Sequence, residues 1–494
     1  MAVIISKPSG MGSGRTLRLV LLCLILVATS LRARNLFAAG LAADEALFAT
    51  WARLIHAGRD PLLSAQAVDK PPLLFYLQAG AYGLLGPADW VARLPGFVAS
   101  VLLVPLTARL AHSLYSDRFT GPVAAVILAL SPLALGYSAS AYIEPLLAAV
   151  VLAALLAAGL NCRDRPGTAG LLFGVAMLAK FQALLFLPLL IGLGRLAGWR
   201  GRAWGRLAAG ALPGLALLAG WQLARSGRLD LLATQLAAYG GLRPAWSWEL
   251  WSRLVEWAGL WAGLLDAPIL WFGLFLGLPP FLAALIDEHD RPTAADQMLA
   301  LYLFGYFAFH WLLAIPAWER YLLPAAPLAA VLLARYVWRV AQFALSLAPA
   351  RFREAASRPR LALAGGLIFA LFLAAPAEHL RGPASAPAAW AGPAAELRMA
   401  PYGTVLYTHD HSWEWRHALF DSRVQVSWYP NPAALAENWR VHGRQGQRYL
   451  AAPAGDEAGP VLRALEAAGA DLIPVGPTGS GPQASAGRLY RLEP

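Results

Sequence analysis

The stretch AYIEPLLAAVVLAALLAAGL (141–160) holds a single charge, Glu144, near its start. A helix of roughly 20 such residues rises about 30 Å, the thickness of bilayer hydrocarbon. Comparable apolar runs lie on both sides of it, at 17–36, 92–112, 119–137, 168–180, 181–198, 206–224, 265–286, 297–315, 321–340 and 360–376. The interval 168–198 is too long for one tilted span, so it reads as two helices split near Lys180. The 494 residues are 58% hydrophobic and 14% charged, where a soluble protein carries about 25% charged residues. One soluble core could not absorb that apolar excess, because cores stop growing near ~250–300 residues. The reading is a polytopic all-α membrane domain with about eleven spans.

The formal charge of +11 does not mark a nucleic-acid binder, because the Arg residues are scattered between apolar runs rather than gathered in a stripe with aromatics. Their distribution sets orientation instead. With the N-terminus cytoplasmic, the dense clusters Arg163/Arg165, Arg195/Arg200/Arg202/Arg206 and Arg335 to Arg360 stay on the cytoplasmic side. An odd number of spans then leaves the C-terminal region outside. The two cysteines, Cys23 and Cys162, imply no disulfide framework. Lys7, Arg15 and Arg18 precede a first apolar run without a small-residue cleavage site, which reads as an uncleaved helix.

Three segments do not span. The first, 37–91, has helical apolar spacing over 45–57 and 72–85 and reads as an outside loop with two interfacial helices. The second, 225–264, carries Trp246, Trp248, Trp251, Trp257 and Trp261, a cluster suited to the headgroup region. The third changes composition. Strand-like runs (GTVLYTH, VQVSWY, RYLAA, DLIPVG, GRLYRL) alternate with helical ones (NPAALAENWRVHG, PVLRALEAAGA), the signature of a small α/β domain. Two domains follow: a transmembrane domain over 1–380 containing the 37–91 loop, and an extracytoplasmic α/β domain over 385–494.

The chemistry concentrates in the first loop. Asp44-Glu45 follows the first span, Asp69-Lys70-Pro71-Pro72 lies in mid-loop, and Arg93-Leu94-Pro95 opens the second span. A single charge at a membrane surface is ordinarily just solvated. The set brings acidic and basic groups to one side of the bilayer, with a Pro-Pro pair stiffening the backbone beside Lys70. It could supply a base for a hydroxyl and cations for a phosphate.

The strings DEALFATWARLIHAGRDP, DKPPLLFYL and ARLPG, followed by AYIEPLL (141–147), LAKFQALL (178–185) and ERYLLPAAPLAAVLL (319–333), resemble the GT-C glycosyltransferases. Within that superfamily the pattern is similar to the bacterial protein O-mannosyltransferase and lipid A aminoarabinose transferase families, over about residues 17–340. The resemblance implies a GT-C fold and an inverting sugar transfer from a polyprenyl-phosphate donor to an extracytoplasmic lipid, glycan or protein acceptor at the cell membrane. It implies Asp44 as the catalytic acidic residue, with Glu45 beside it at the substrate. Lys70 matches the lysine expected on the donor phosphate, and Asp69 stands where relatives often have Glu. Glu144 stands where many relatives carry Asp, as a substrate or metal contact. Arg320 and Tyr321 match a further family segment. No protein metal site is assigned, and a divalent ion stays open.

Elementary chemistry points the same way. The leaving phosphate gains negative charge as the anomeric carbon turns positive, so fixed cations such as Lys70 with Arg93 or Arg320 stabilise the transition state. A carboxylate base on the acceptor hydroxyl contributes about 10²–10⁴-fold. Lys180, an intramembrane charge, reads either as a substrate contact or as a snorkelling side chain. His310 reads as a packed helix residue. His409, Asp410, His411 and His417 could be imagined on zinc, but a strand end and helix cap explain them better. The competing class is a transporter or flippase for a lipid-linked sugar, which predicts broken helices and midplane charges. A non-enzymatic scaffold would leave Asp44 and Lys70 dispensable.

Overall fold

The structure is a computed structural model, and it describes residues 11–38, 40–115, 117, 119–159, 165–238, 241–264, 291–347, 391–453, 455–475 and 488–494. Helices occupy each expected span among these residues, from Met11–Ala33 and Asp89–Tyr115 to Arg291–Leu312 and Ala326–Leu347. The 265–286 and 360–376 spans lie outside them. Asp89–Tyr115 and Gly201–Ser226 are long and apolar enough to cross a membrane. On the second of these, Leu212, Leu217 and Leu223 stand at least half exposed, an apolar face that lipid accommodates and water does not.

Several spans are broken, each at an identifiable residue. Pro132 has no N–H to donate and holds Ser131 out of the helical region, so 119–137 divides into Thr120–Leu130 and Pro132–Gly136. Pro166–Ala179 ends at Lys180, whose backbone is extended, and a 3₁₀ turn Phe181–Phe186 precedes Leu187–Leu196. Another 3₁₀ turn, Glu319–Leu322, precedes Ala326–Leu347. The 225–264 segment holds the helices Leu231–Ala238 and Leu250–Ala262. Its tryptophans divide: Trp246, Trp248 and Trp251 are exposed, whereas Trp257 is buried with its ring 4.9 Å from that of His310.

The chain forms two compact units. In the first (Met1–Leu36, Asp60–Leu77 and Arg93–Pro383), Pro166–Ala179 and Gly201–Ser226 pack backbone to backbone. A Cβ on Gly170 would sit 1.9 Å from the Leu207 carbonyl oxygen, and one on Gly210 would sit 2.1 Å from that of Gly167. Small residues at four-residue spacing are how membrane helices gain close van der Waals contact without a hydrophobic drive between them. This contact fixes the helix that ends at Lys180.

The second unit joins Ala384–Pro494 to Phe37–Arg59 and Gln78–Ala92. Its five strands, β1 (Val405–Thr408), β2 (Gln425–Trp428), β3 (Arg448–Ala451), β4 (Asp471–Val475) and β5 (Leu489–Glu493), run in the order β2-β1-β3-β5-β4. β1 pairs parallel with β2 and β3, in register Val405 to Gln425 and to Arg448, and β5 runs antiparallel between β3 and β4. Alternation sends neighbours to opposite faces. Tyr407 and Leu450 pack with the helices Pro432–His442 and Ala458–Ala467, through Leu435, Trp439 and Leu465. Leu406 and Leu489 pack on the other face with Trp415 and Leu419. The helix Ala43–His56 buries Ala46, Phe48, Ala49, Trp51 and Ala52 and packs against Ser412–Ala418.

Candidate active site

In the first unit the helix breaks bring distant charges together. Glu144 opens the helix Glu144–Ala158, where a carboxylate complements the helix dipole. The Lys180 ammonium donates to its Oε1 at 2.6 Å, with both side chains at most 5% exposed. Arg320, from the Glu319–Leu322 turn, brings Nε to 3.8 Å of the same oxygen. Lys180 is therefore buried in an ion pair and does not snorkel. Irregular backbone at membrane depth is tolerated where it is enclosed by protein or lines a cavity, and both cations come from such breaks.

Aromatic rings surround the cations. The Lys180 ammonium lies 4.4 Å from the centre of the Tyr321 ring, and the Arg320 guanidinium lies 4.4 Å from Trp318 and 4.9 Å from Tyr142. Gln182 donates to the Tyr306 hydroxyl at 2.6 Å and to the Tyr321 carbonyl at 3.1 Å, and Tyr306 also donates to that carbonyl. Tyr137 donates to Glu319. Sequence reasoning missed Tyr142, Trp318, Gln182 and Tyr306. Tyr142 and Trp318 stand within two residues of Glu144 and Arg320, so the motifs AYIE and WERY were the available signal.

Lys70 is buried and ion-paired with Asp69 just before the helix Leu73–Leu85, which Pro71 and Pro72 introduce. It is near enough to Lys180 to repel it, as is Arg320. Lys70 is thus paired with Asp69, and Lys180 and Arg320 with Glu144, so three cations gather in this part of the first unit. Arg93 is buried too, and its guanidinium reaches the Leu36 carbonyl at 3.4 Å. A cavity of about 310 Å³ is lined by Lys180, Gln182, His310 and Tyr321 together with Leu184 and Leu232. A second cavity, of about 470 Å³, shares Leu184, Leu185 and Phe309 with it and is otherwise walled by residues such as Leu189, Met298 and Leu301. Polar groups at one end and an apolar continuation suit an amphiphile with an anionic head. His310 packs in this wall with Nδ1 2.8 Å from the Tyr306 carbonyl.

Asp44 and Glu45 belong to the second unit, in the first turn of Ala43–His56. Asp44 is half-buried, whereas Glu45 is buried and accepts the Ala42 N–H at 3.0 Å, closing that helix end. The three imidazoles of the HDH…H cluster go to separate partners. His409 Nδ1 meets the Tyr429 carbonyl, His411 meets Glu414, and His417 meets Asp89. The hydrogen bond to Glu414 raises the His411 pKa above its ordinary value.

Residues 69–219 match the family model of dolichyl-phosphate-mannose-protein mannosyltransferases, a segment that contains Asp69, Lys70, Arg93, Glu144 and Lys180. No curated protein sequence gives a significant match. Among solved structures, ArnT from Cupriavidus metallidurans bound to undecaprenyl phosphate is similar, with a TM-score of 0.61 at 16% identity over 98% of both chains. Its apo state gives 0.64 at 15% identity, over 97% of this chain and 98% of that one. The mycobacterial arabinofuranosyltransferase AftD gives 0.52 at 18% identity, over 98% of this chain and 40% of that one. This chain has the GT-C fold, all-α with a small C-terminal sheet domain.

Proposed function

We propose that this chain is an integral membrane glycosyltransferase that moves a sugar, with inversion, from a polyprenyl phosphate to an extracytoplasmic acceptor. The observation that carries the reading is the buried Lys180–Glu144–Arg320 cluster with Lys70, which adjoins cavities that continue between apolar walls. The cations hold the donor phosphate, and the apolar groove takes the first part of the polyprenyl chain. As the bond between the anomeric carbon and the phosphate oxygen breaks, the electron pair leaves with the phosphate, where the fixed cations stabilise it. The acceptor oxygen forms the new bond to the anomeric carbon, and its proton passes to Asp44. Arg93 and Tyr321 complete the donor contacts, and Glu45 supports the helix that carries the base. A divalent ion at Glu144 would have to displace the Lys180 ammonium, so no step is routed through one. The N-terminus is cytoplasmic, and the active site and C-terminal domain face outward.

The alternative is a flippase for the same lipid, favoured by the helix breaks at Lys180 and Arg320. The two readings separate on Asp44→Asn, which keeps size but removes the base. The assay uses lipid-linked sugar extracted from cells lacking the protein as donor. Asp44→Asn lowers turnover by about 10²-fold or more while donor binding persists. Glu45→Gln loses only part of a helix-end hydrogen bond and retains most turnover. Wild-type transfer rates in purified Asp44→Asn protein would sink the enzymatic role and favour the flippase.

A further inference from the structure

We infer that the C-terminal α/β domain is a positioning module for the helix bearing Asp44, and that Arg53 is the residue through which it holds that helix. The inference rests on the proposed catalytic role of Asp44. Its structural basis lies wholly within the second unit, where Phe37–Arg59 and Ala384–Pro494 form one compact body.

Asp44 occupies the first turn of Ala43–His56 and Arg53 the last. A helix of this length is marginal by itself in water, so its placement is set by what it packs against. Its apolar face lies on Ser412–Ala418, with the Trp51 ring edge-on to Trp413 at 6.5 Å. Arg53 locks that contact. One guanidinium nitrogen donates to the His417 carbonyl at 3.0 Å, in the last turn of Ser412–Ala418, where that oxygen also receives the Phe420 N–H at 3.4 Å. The other pairs with the Asp421 carboxylate, and the group lies 4.4 Å over the Phe420 ring. Arg59 follows the same course, donating to the Phe420 carbonyl at 3.2 Å and lying 4.7 Å over that ring. His417 reaches Asp89 at 3.1 Å, which ties the other loop segment to the same short helix. The Arg53 side chain is only 12% exposed whereas Asp421 is 65% exposed, so the ion pair by itself adds little and the hold comes mainly from the His417 carbonyl and the Phe420 ring. A carbonyl, a carboxylate and a ring fix a single guanidinium orientation, as a planar fork allows and an ammonium does not.

Transfer rates are steep in the position of a base, since a displacement of about 1 Å can cost ~10²-fold. Loosening this grip therefore slows turnover without touching the donor phosphate. The experiment compares full-length Arg53→Ala, Arg53→Lys and the control Arg440→Ala in nanodiscs. Arg440 pairs with Glu437 on the exposed side of Pro432–His442. Hydrogen exchange is read at the amides of residues 43–56, and kcat and donor KM are read with the extracted lipid-linked sugar. Arg53→Ala should speed exchange over 43–56 and lower kcat roughly 10- to 100-fold, with donor KM within about twofold. Arg53→Lys, which can keep the Asp421 pairing, should fall between, and Arg440→Ala should match wild type in both.

Unchanged exchange in Arg53→Ala overturns the positioning role whatever the activity does. Faster exchange with unchanged kcat reduces the contact to mere packing and overturns it too. Failure of the catalytic reading shows elsewhere, as wild-type turnover in Asp44→Asn. That result leaves the exchange arm intact as a test of the tether.

Discussion

Lys180→Met removes an ammonium while keeping a long unbranched side chain. It strands the Glu144 carboxylate at 4% side-chain exposure, with the more distant Arg320 at 3.8 Å as its remaining cation. Removing one partner of a buried pair costs about 3–5 kcal/mol where the other charge is left uncompensated. With Arg320 still beside Glu144, the loss here should fall at or below the low end of that range. Replacing both partners, Lys180→Met with Glu144→Gln, lifts that penalty and should return stability to within about 1 kcal/mol of wild type. Donor affinity should behave differently. A charge-assisted contact to a phosphate is worth about 1.5–3 kcal/mol, which is roughly 10- to 150-fold in Kd. The double variant should not regain it. Thermal unfolding in detergent and titration with undecaprenyl phosphate in nanodiscs measure the two quantities separately. A double variant that is stable and binds undecaprenyl phosphate like wild type makes Lys180 a purely structural residue. A single variant as stable as wild type refutes the buried ion pair itself.

Gly170→Ala should destabilise the membrane unit by about 1–3 kcal/mol through overpacking, because its Cβ would meet the Leu207 carbonyl oxygen at 1.9 Å. Gly220→Ala, on a helix face with nothing within 4 Å of the added Cβ, should be neutral or mildly stabilising, and equal melting shifts for the two would contradict the backbone packing. A reporter active only outside the cytoplasm should work when fused after Pro383 and fail when fused after Arg206. The reverse pattern would invert the proposed orientation.

Much of the secondary structure was legible because its signals are local. The 45–57 and 72–85 spacings anticipated Ala43–His56 and Leu73–Leu85, and the alternating C-terminal runs anticipated all five strands of the sheet. The break at Lys180 was legible because the apolar run exceeds a bilayer. The irregular backbone beside it was not, since a 3₁₀ turn in Phe181–Phe186 leaves the hydrophobic pattern of FQALLF unchanged. Glu45 could have been read as half a capping box, three residues past Ala42, yet with Ala at the cap position the usual Ser or Thr cue is missing. The buried Asp296, which takes both Arg335 and Arg339 at 3.0–3.3 Å, was hidden for another reason. Those arginines were read only as part of a cytoplasmic basic cluster that sets orientation, and no sequence spacing links them to Asp296.

The sequence by itself determined that the chain places its apolar surface in lipid, where its helices and strands fall, and which few charges stand beside apolar runs. Run length and periodicity are properties of consecutive residues, so they survive without a tertiary structure. Only the tertiary structure decided which of those charges meet. Glu144 and Lys180 are 36 residues apart, and Arg53 and Asp421 are 368 apart. Such pairs depend on helix rotation and approach, fixed here by contacts such as Gly170 on Leu207, and on the helix Ala43–His56 packing against a domain that begins more than three hundred residues later. Charge pairing over that separation is a consequence of packing, because desolvation makes a buried charge acceptable only where the fold delivers its partner.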